Sequence, residues 1–164
     1  RSPSRGLGDV YKRQGVDGLN AKSVGIELIC EDPFKIGYSD EQMNSLVELC
    51  KDLKNKFNID KRNIIGHSDI AYSLDNGFLD RKQDPSGLFD WNKMLEEGLV
   101  AQLNDVELLL KNLEGFVYGM KDEKIAEFKK AAKDYGYKVS KEDDVFDDEM
   151  KFLINVFERR FLRR

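Results

Sequence analysis

The sequence holds a single histidine, His67, among 164 residues. A metal site that needs two imidazoles therefore cannot be completed by this chain alone. Cysteine is scarce too. Cys30 lies in an apolar strand-like run and Cys50 in an apolar helical stripe, and two small buried hydrophobes is the simplest reading of them. A disulfide would need closely apposed Cα atoms, which spacing does not reveal. Positive charge is not in excess: the net charge is −4. Nucleic-acid binding through bulk charge is excluded, because neutralising phosphates requires a basic footprint. No apolar run approaches the length of a membrane-spanning helix. No repeat or low-complexity segment is evident, and no apolar h-region marks a signal peptide.

What is present suits a globular chain. Hydrophobic residues make up 40%, aromatics 10% and charged residues 35%. The length fits one modest domain, or a catalytic domain with a small appendage. Residues 1–14, RSPSRGLGDVYKRQ, are basic, rich in Ser and Gly and without period. They resemble a translated library-adapter scar and are set aside from fold reasoning.

Residues 24–30, VGIELIC, form an aliphatic, β-branched run that predicts a buried strand. Val24, Ile26, Leu28 and Cys30 would share one face, and Gly25, Glu27 and Ile29 the other. Asp32-Pro33 and Gly37 mark a loop. Ser39 and Gln42 form an S-x-x-Q capping box that opens a helix over 40–57. Met43, Leu46, Val47, Cys50, Leu53 and Phe57 give that helix its apolar stripe. Asn63 to Gly66 reads as a second strand, with His67 at its C-terminal end. Strand, helix and strand in this order predict a βαβ unit with parallel strands. Residues 72–90 read as loop, and Trp91 to Leu99 as a short helix. From about residue 104 the pattern is helical. Leu108, Leu109 and Leu113 form one cluster. Ile125, Phe128, Ala131 and Ala132 line a helix that stops near Gly136. Phe146, Met150, Leu153, Ile154, Phe157 and Phe161 line another. The expected fold is α/β, a mixed central sheet flanked by helices, followed by a small all-α module.

Four residues carry chemistry. Glu27 is a lone carboxylate in an apolar run. If buried, it must be paired, metal-linked or protonated, and it could then serve as a general base; otherwise its face opens to solvent. His67 ends a strand, where functional groups of α/β sheets gather. Asp84 precedes Pro85 in a loop, where turn chemistry alone would explain it. Lys82 stands two residues earlier, and an isolated loop lysine is ordinarily just solvated.

Together these residues resemble a family. Ser23-Val24-Gly25-Ile26-Glu27-Leu28 looks like the S-I-G-I-E-L strand of the type-2 N-acetylmuramoyl-L-alanine amidases, relatives of the peptidoglycan recognition proteins. Gly66-His67-Ser68-Asp69-Ile70-Ala71 resembles their G-H-S-D-I-A motif. Arg81-Lys82-Gln83-Asp84-Pro85-Ser86-Gly87-Leu88-Phe89-Asp90-Trp91 resembles their R-K-x-D-P-G-x-x-F-x-W motif. The likeness runs from Asn20 to Trp91, with the motifs in order.

The resemblance implies a Zn²⁺ cofactor held by two histidines and an aspartate, with His67 as the second histidine and Asp84 as the aspartate. It makes Glu27 the catalytic glutamate and Lys82 the lysine that offsets charge on the carbonyl oxygen. The implied reaction is hydrolysis of the amide between N-acetylmuramic acid and L-alanine, with peptidoglycan or a muropeptide as partner. The alternative is a non-catalytic peptidoglycan-binding recognition protein. The implied location is the cell envelope or periplasm, with the cytoplasm also open. The family's first histidine lies upstream of the S-I-G-I-E-L strand, and none stands there. The expectation is a truncated start and a fragment that binds zinc weakly and has little or no activity. The stretch from Tyr72 to Asp80 is longer than the family's short Pro-containing link, and so reads as an insertion. The expected organisation is an amidase domain over 15–100, a linker over 101–120 and a helical module over 121–164. Tyr135-Gly136-Tyr137, followed by Phe157-Glu158-Arg159-Arg160-Phe161, resembles the small peptidoglycan-binding module appended to some of these amidases. A packing or oligomerisation role is equally open for it.

Overall fold

The computed structural model describes residues 22–70, 72–73, 79–80 and 84–162. Helix α1, Asp40–Phe57, starts where the capping signal places it, and the Gln42 N–H donates to Ser39 Oγ at 3.2 Å. The other half of the capping box does not form. The Gln42 side chain reaches back along the chain instead, and its Nε2 donates to the Ile29 carbonyl at 2.6 Å. This bond and the Cys30 thiol donating to the Gly37 carbonyl at 2.7 Å hold the 24–30 segment beside the helix. Asn58 closes α1 in the left-handed conformation at φ 51°, which asparagine tolerates better than most residues.

Met43, Leu46, Val47 and Cys50 are the buried face of α1. They pack with Phe89, Met94, Leu99 and Val100 into a first core, flanked by Leu28, Tyr38, Ile64, Trp91 and Leu95. Phe57, at the end of the expected stripe, is exposed. The short helix α2, Trp91–Glu96, is capped by Asp90, whose carboxylate accepts from the Lys93 N–H at 2.9 Å.

The expected central sheet is not found among the described residues. Residues 24–30 have no ladder partner, and Val24, Ile26 and Ile29 are exposed. Lys61–Asn63 is a 3-10 turn capped by Asp60, and residues 64–66 carry no ladder. An aliphatic run signals a preference for strand geometry, but a strand also needs a neighbour to pair with, and none is described here. The only ladder described is a short antiparallel one, β1 (Tyr72–Ser73) with β2 (Leu79–Asp80), in register Tyr72↔Asp80. It falls inside the stretch expected to be loop.

The C-terminal helices make a second core. Helices α3 (Val106–Lys111), α4 (Glu123–Tyr135) and α5 (Asp148–Phe161) bury Val106, Leu110, Ile125, Phe128, Ala132, Met150, Leu153 and Phe157 against one another. Leu108 is exposed, and Leu110 takes the buried place expected of it. The stretch 101–120, expected as a linker, is packed: it carries α3 and contributes Val106, Leu110 and Leu113 to this core. Helix α4 stops at Gly136, whose φ of 120° favours glycine. The loops ahead of α4 and α5 are tied by an antiparallel bridge, Lys121↔Val145. No described helix is long and apolar enough to cross a membrane.

Candidate metal centre

Gly66 opens a single 3-10 turn, His67–Asp69. Asp69 secures that turn from within, its Oδ2 accepting the Gly66 N–H at 2.7 Å. No larger residue fits at the opening. A Cβ on Gly66 would lie 2.7 Å from Pro85 Cδ and 3.2 Å from the Trp91 ring. The main chain then clamps the second motif onto the first, as the Ser68 N–H donates to the Asp84 carbonyl at 2.8 Å. Further along, the Ser86 hydroxyl donates to the Pro33 carbonyl, which anchors the Asp84–Ser86 stretch to the loop before α1.

These constraints bring two of the sequence-predicted residues together. His67 Nδ1 lies 2.8 Å from Asp84 Oδ2. An ionised carboxylate only accepts, so one proton on Nδ1 links the two groups. The imidazole is mostly buried and the carboxylate about half exposed, with side-chain exposures of 25% and 54%. Tyr38 sits near this pair. Burial raises its phenol above the ordinary value, with Cys30 and Asp84 adding to the shift.

An imidazole nitrogen and a carboxylate oxygen are donors that suit Zn²⁺. Two donors on one tetrahedral zinc stand about 3.3 Å apart at bond lengths of about 2.0 Å. The pair therefore fits a shared ion after an opening of about half an ångström, with the ring proton moved from Nδ1 to Nε2. No cluster of three or more His, Cys, Asp or Glu side chains that could hold a metal is present among the described residues. A shared ion would take two of its positions from His67 and Asp84.

The other two predicted residues are placed differently. Glu27 is exposed, the solvent-facing of the two readings open for it, and the buried strand expected around it is not formed among the described residues. It lines a shallow groove of about 390 Å³ with Ser39, Gln42 and Leu46, and neither His67 nor Asp84 borders that groove. Lys82 lies outside the described residues.

Sequence reasoning missed a polar group behind the turn. Tyr137 donates from its hydroxyl to Asp69 Oδ1 at 3.1 Å. Arg160 Nη2 donates to the Ile64 carbonyl at 3.0 Å, and its Nε lies 3.9 Å from Asp69 Oδ2. The Arg160 guanidinium stacks 3.4 Å over the centre of the Trp91 ring. Burial, then the Asp69 carboxylate, pushes the Tyr137 phenol well above the ordinary range, so it remains a donor. An arginine at the end of an apolar helix, Arg160, is the one trace of it in the sequence.

Comparison with known proteins agrees with the pattern of motifs. The family model described as N-acetylmuramoyl-L-alanine amidase matches residues 5–87, just over half of the chain. N-acetylmuramoyl-L-alanine amidase AmiD of Escherichia coli (strain K12) is 30% identical over 95 residues, covering 54% of this chain and 32% of that protein. 1,6-anhydro-N-acetylmuramyl-L-alanine amidase AmpD of Enterobacter cloacae is 38% identical over 80 residues, 49% of this chain and 38% of that one. The chain thus spans 32% and 38% of these two relatives' lengths. A solved structure of E. coli AmiD, in complex with the substrate anhydro-N-acetylmuramic acid-L-Ala-D-gamma-Glu-L-Lys, superposes with a TM-score of 0.52. It does so at 26% identity, over 75% of this chain and 44% of that one. By the family match over half its length, the chain belongs to the N-acetylmuramoyl-L-alanine amidase family, Amidase_2.

Proposed function

We propose that the chain is part of a zinc-dependent amidase that hydrolyses the bond between the lactyl group of N-acetylmuramic acid and L-alanine, in peptidoglycan or in a soluble muropeptide. The observation that carries this reading is the His67–Asp84 pair, with Nδ1 and Oδ2 2.8 Å apart, within a chain of this family. When bound there, zinc supplies Lewis acidity toward the amide carbonyl and toward water. His67 and Asp84 hold it, as a neutral imidazole and a carboxylate. Glu27 takes the proton from water and passes it to the leaving amine. Lys82 offsets the charge that develops on the carbonyl oxygen. Residues 15–100 form the amidase part and residues 121–164 a helical module that supports it or binds the wall. The site of action is the cell envelope, where intact peptidoglycan lies, or the compartment that receives its soluble fragments.

The test measures release of L-alanine-terminated peptide from purified peptidoglycan and from an anhydro-muropeptide. The assay uses a protein that carries this chain together with an upstream histidine, and zinc content is measured in parallel. Cleavage that disappears on chelation and returns with zinc supports the reading. Binding of muropeptide without cleavage at any zinc level replaces it with a recognition protein of the same superfamily.

A further inference from the structure

We propose that the C-terminal helices position the metal-ligating turn, with Tyr137 and Arg160 acting through Asp69 and the Ile64 carbonyl to aim His67 at Asp84. The proposal rests on the metal reading of that pair and assigns the helical module a task within the site. It begins with where the polar groups lie. Asp69 is buried two residues after His67, and both its oxygens are engaged, Oδ2 by the Gly66 N–H at 2.7 Å and Oδ1 by the Tyr137 hydroxyl at 3.1 Å. Arg160, also buried, reaches the stretch that leads into this turn, at the Ile64 carbonyl 3.0 Å away. Both ends of the segment 64–69 are therefore held by side chains more than sixty residues away in sequence.

The holding groups are themselves fixed. Tyr137 packs its ring 5.1 Å from Phe157 and 5.8 Å from Tyr135, within the helical core. Arg160 is sandwiched onto Trp91, whose ring also bounds Gly66. A buried guanidinium with one nitrogen, Nη1, lacking a hydrogen-bond partner among the described residues is a costly feature. A helix needed only for packing would do as well with an apolar residue there. The arrangement instead has the form of an outer shell around a ligand, in which hydrogen-bonded partners fix the orientation of a metal-binding side chain. Tyr137 and Arg160 are positioning residues and touch neither metal nor substrate.

The lone histidine makes the test direct, since its imidazole gives one set of ring resonances. The chain is labelled with ¹⁵N-histidine, and ring ¹⁵N and ¹H shifts are recorded without added metal. The proteins are the parent, Tyr137→Phe, Arg160→Met, Arg160→Lys and the control Ile125→Val. That control softens the same helical core from a position outside the polar tie. Circular dichroism verifies that each is folded. The parent ring is expected to show the Nδ1-protonated form held by Asp84. Tyr137→Phe and Arg160→Met should move its shifts toward those of an unconstrained histidine. Arg160→Lys, which keeps a donor, should fall between, and Ile125→Val should match the parent although it melts lower.

Zinc sulfate is then titrated in. The two loosened variants should need about 10–100-fold more zinc than the parent for the same change. Folded Tyr137→Phe and Arg160→Met proteins whose ring shifts coincide with the parent's overturn the proposal, as does an equal displacement in Ile125→Val. A parent ring indifferent to zinc, with variants that still displace it, refutes the metal reading of the pair and leaves the positioning role standing.

Discussion

Lys129 is wholly buried, and its Nζ lies 2.6 Å from Asp143 Oδ1, across the loop that joins α4 to α5. The same ammonium donates to the Val145 carbonyl at 3.0 Å and stands 3.5 Å from Asp147 Oδ2, whose carboxylate caps α5. A buried ammonium is tolerable only with such company. Removing one partner should be felt, and Asp143→Asn is expected to cost about 2 kcal/mol, read as a lowered urea midpoint at pH 7 with an unchanged slope. An unchanged midpoint would show that Asp147 and Val145 suffice.

The same pair sets an acid limit. The hydrogen bond from Lys129 is the main cause that holds the Asp143 carboxyl below its ordinary value of 3.8. A carboxyl whose folded value is depressed contributes stability above its unfolded value, and that contribution is lost as pH falls through the folded one. The helical core should therefore lose stability below about pH 4, and the loss should be smaller in Asp143→Asn. Urea melts at pH 7 and pH 3.5 measure both slopes. Parallel curves for parent and variant would remove Asp143 from the account.

Gly66 offers a steric prediction. A methyl group there would meet Pro85 Cδ at 2.7 Å, part of a ring that cannot swing aside, whereas a Cβ on Gly25 meets nothing within 4 Å. Gly66→Ala should cost about 1–3 kcal/mol through overpacking and weaken zinc uptake by pushing His67 away from Asp84. Gly25→Ala should do neither. Thermal melts and zinc titration of the two variants decide the matter, and equal behaviour would mean that the turn yields.

The His67–Asp84 pair makes zinc binding a change of partner for the ring. Nδ1 faces Oδ2 across 2.8 Å, and a shared ion has to enter between them while the ring proton passes to Nε2. Calorimetry of the parent with zinc should show a heat of binding. Affinity should fall as the solution is acidified. His67→Ala and Asp84→Asn should each abolish the heat. Binding by the parent should be weak, since only two donors converge among the described residues. Tight stoichiometric binding would reveal further donors on the chain.

Short-range signals carried most of what the sequence revealed. The start of α1, its stripe of Met43, Leu46, Val47 and Cys50, and the stop of α4 at Gly136 all follow from local chemistry. His67 and Asp84 were legible because each sits in a recognisable motif. What failed was whatever depends on a distant partner. The VGIELIC run has strand character but no described neighbour to pair with, so Val24, Ile26, Ile29 and Glu27 face outward and only Leu28 packs against the first core. Gln42 left its cap for the Ile29 carbonyl, a contact no S-x-x-Q pattern encodes. The link between Tyr137 and Asp69 joins a residue just past the end of α4 to one in a 3-10 turn, and no local pattern announces it.

Glu27 decides between an enzyme and a binder. It is exposed and lines a groove with Ser39 and Gln42, so no described neighbour explains a carboxylate at that position of an apolar run. A general base needs to reach the water it deprotonates, directly or through one more water. In a protein that carries this chain with an upstream histidine, Glu27→Gln keeps the shape and the zinc but removes the proton acceptor. Turnover should fall by about 10²–10⁴-fold, the usual worth of general acid–base catalysis, while muropeptide affinity and zinc content change little. A loss of affinity equal to the loss of turnover would make Glu27 a substrate contact. Cleavage at the parent's rate would make it a surface carboxylate with no part in the chemistry, and the proton acceptor would have to be sought elsewhere.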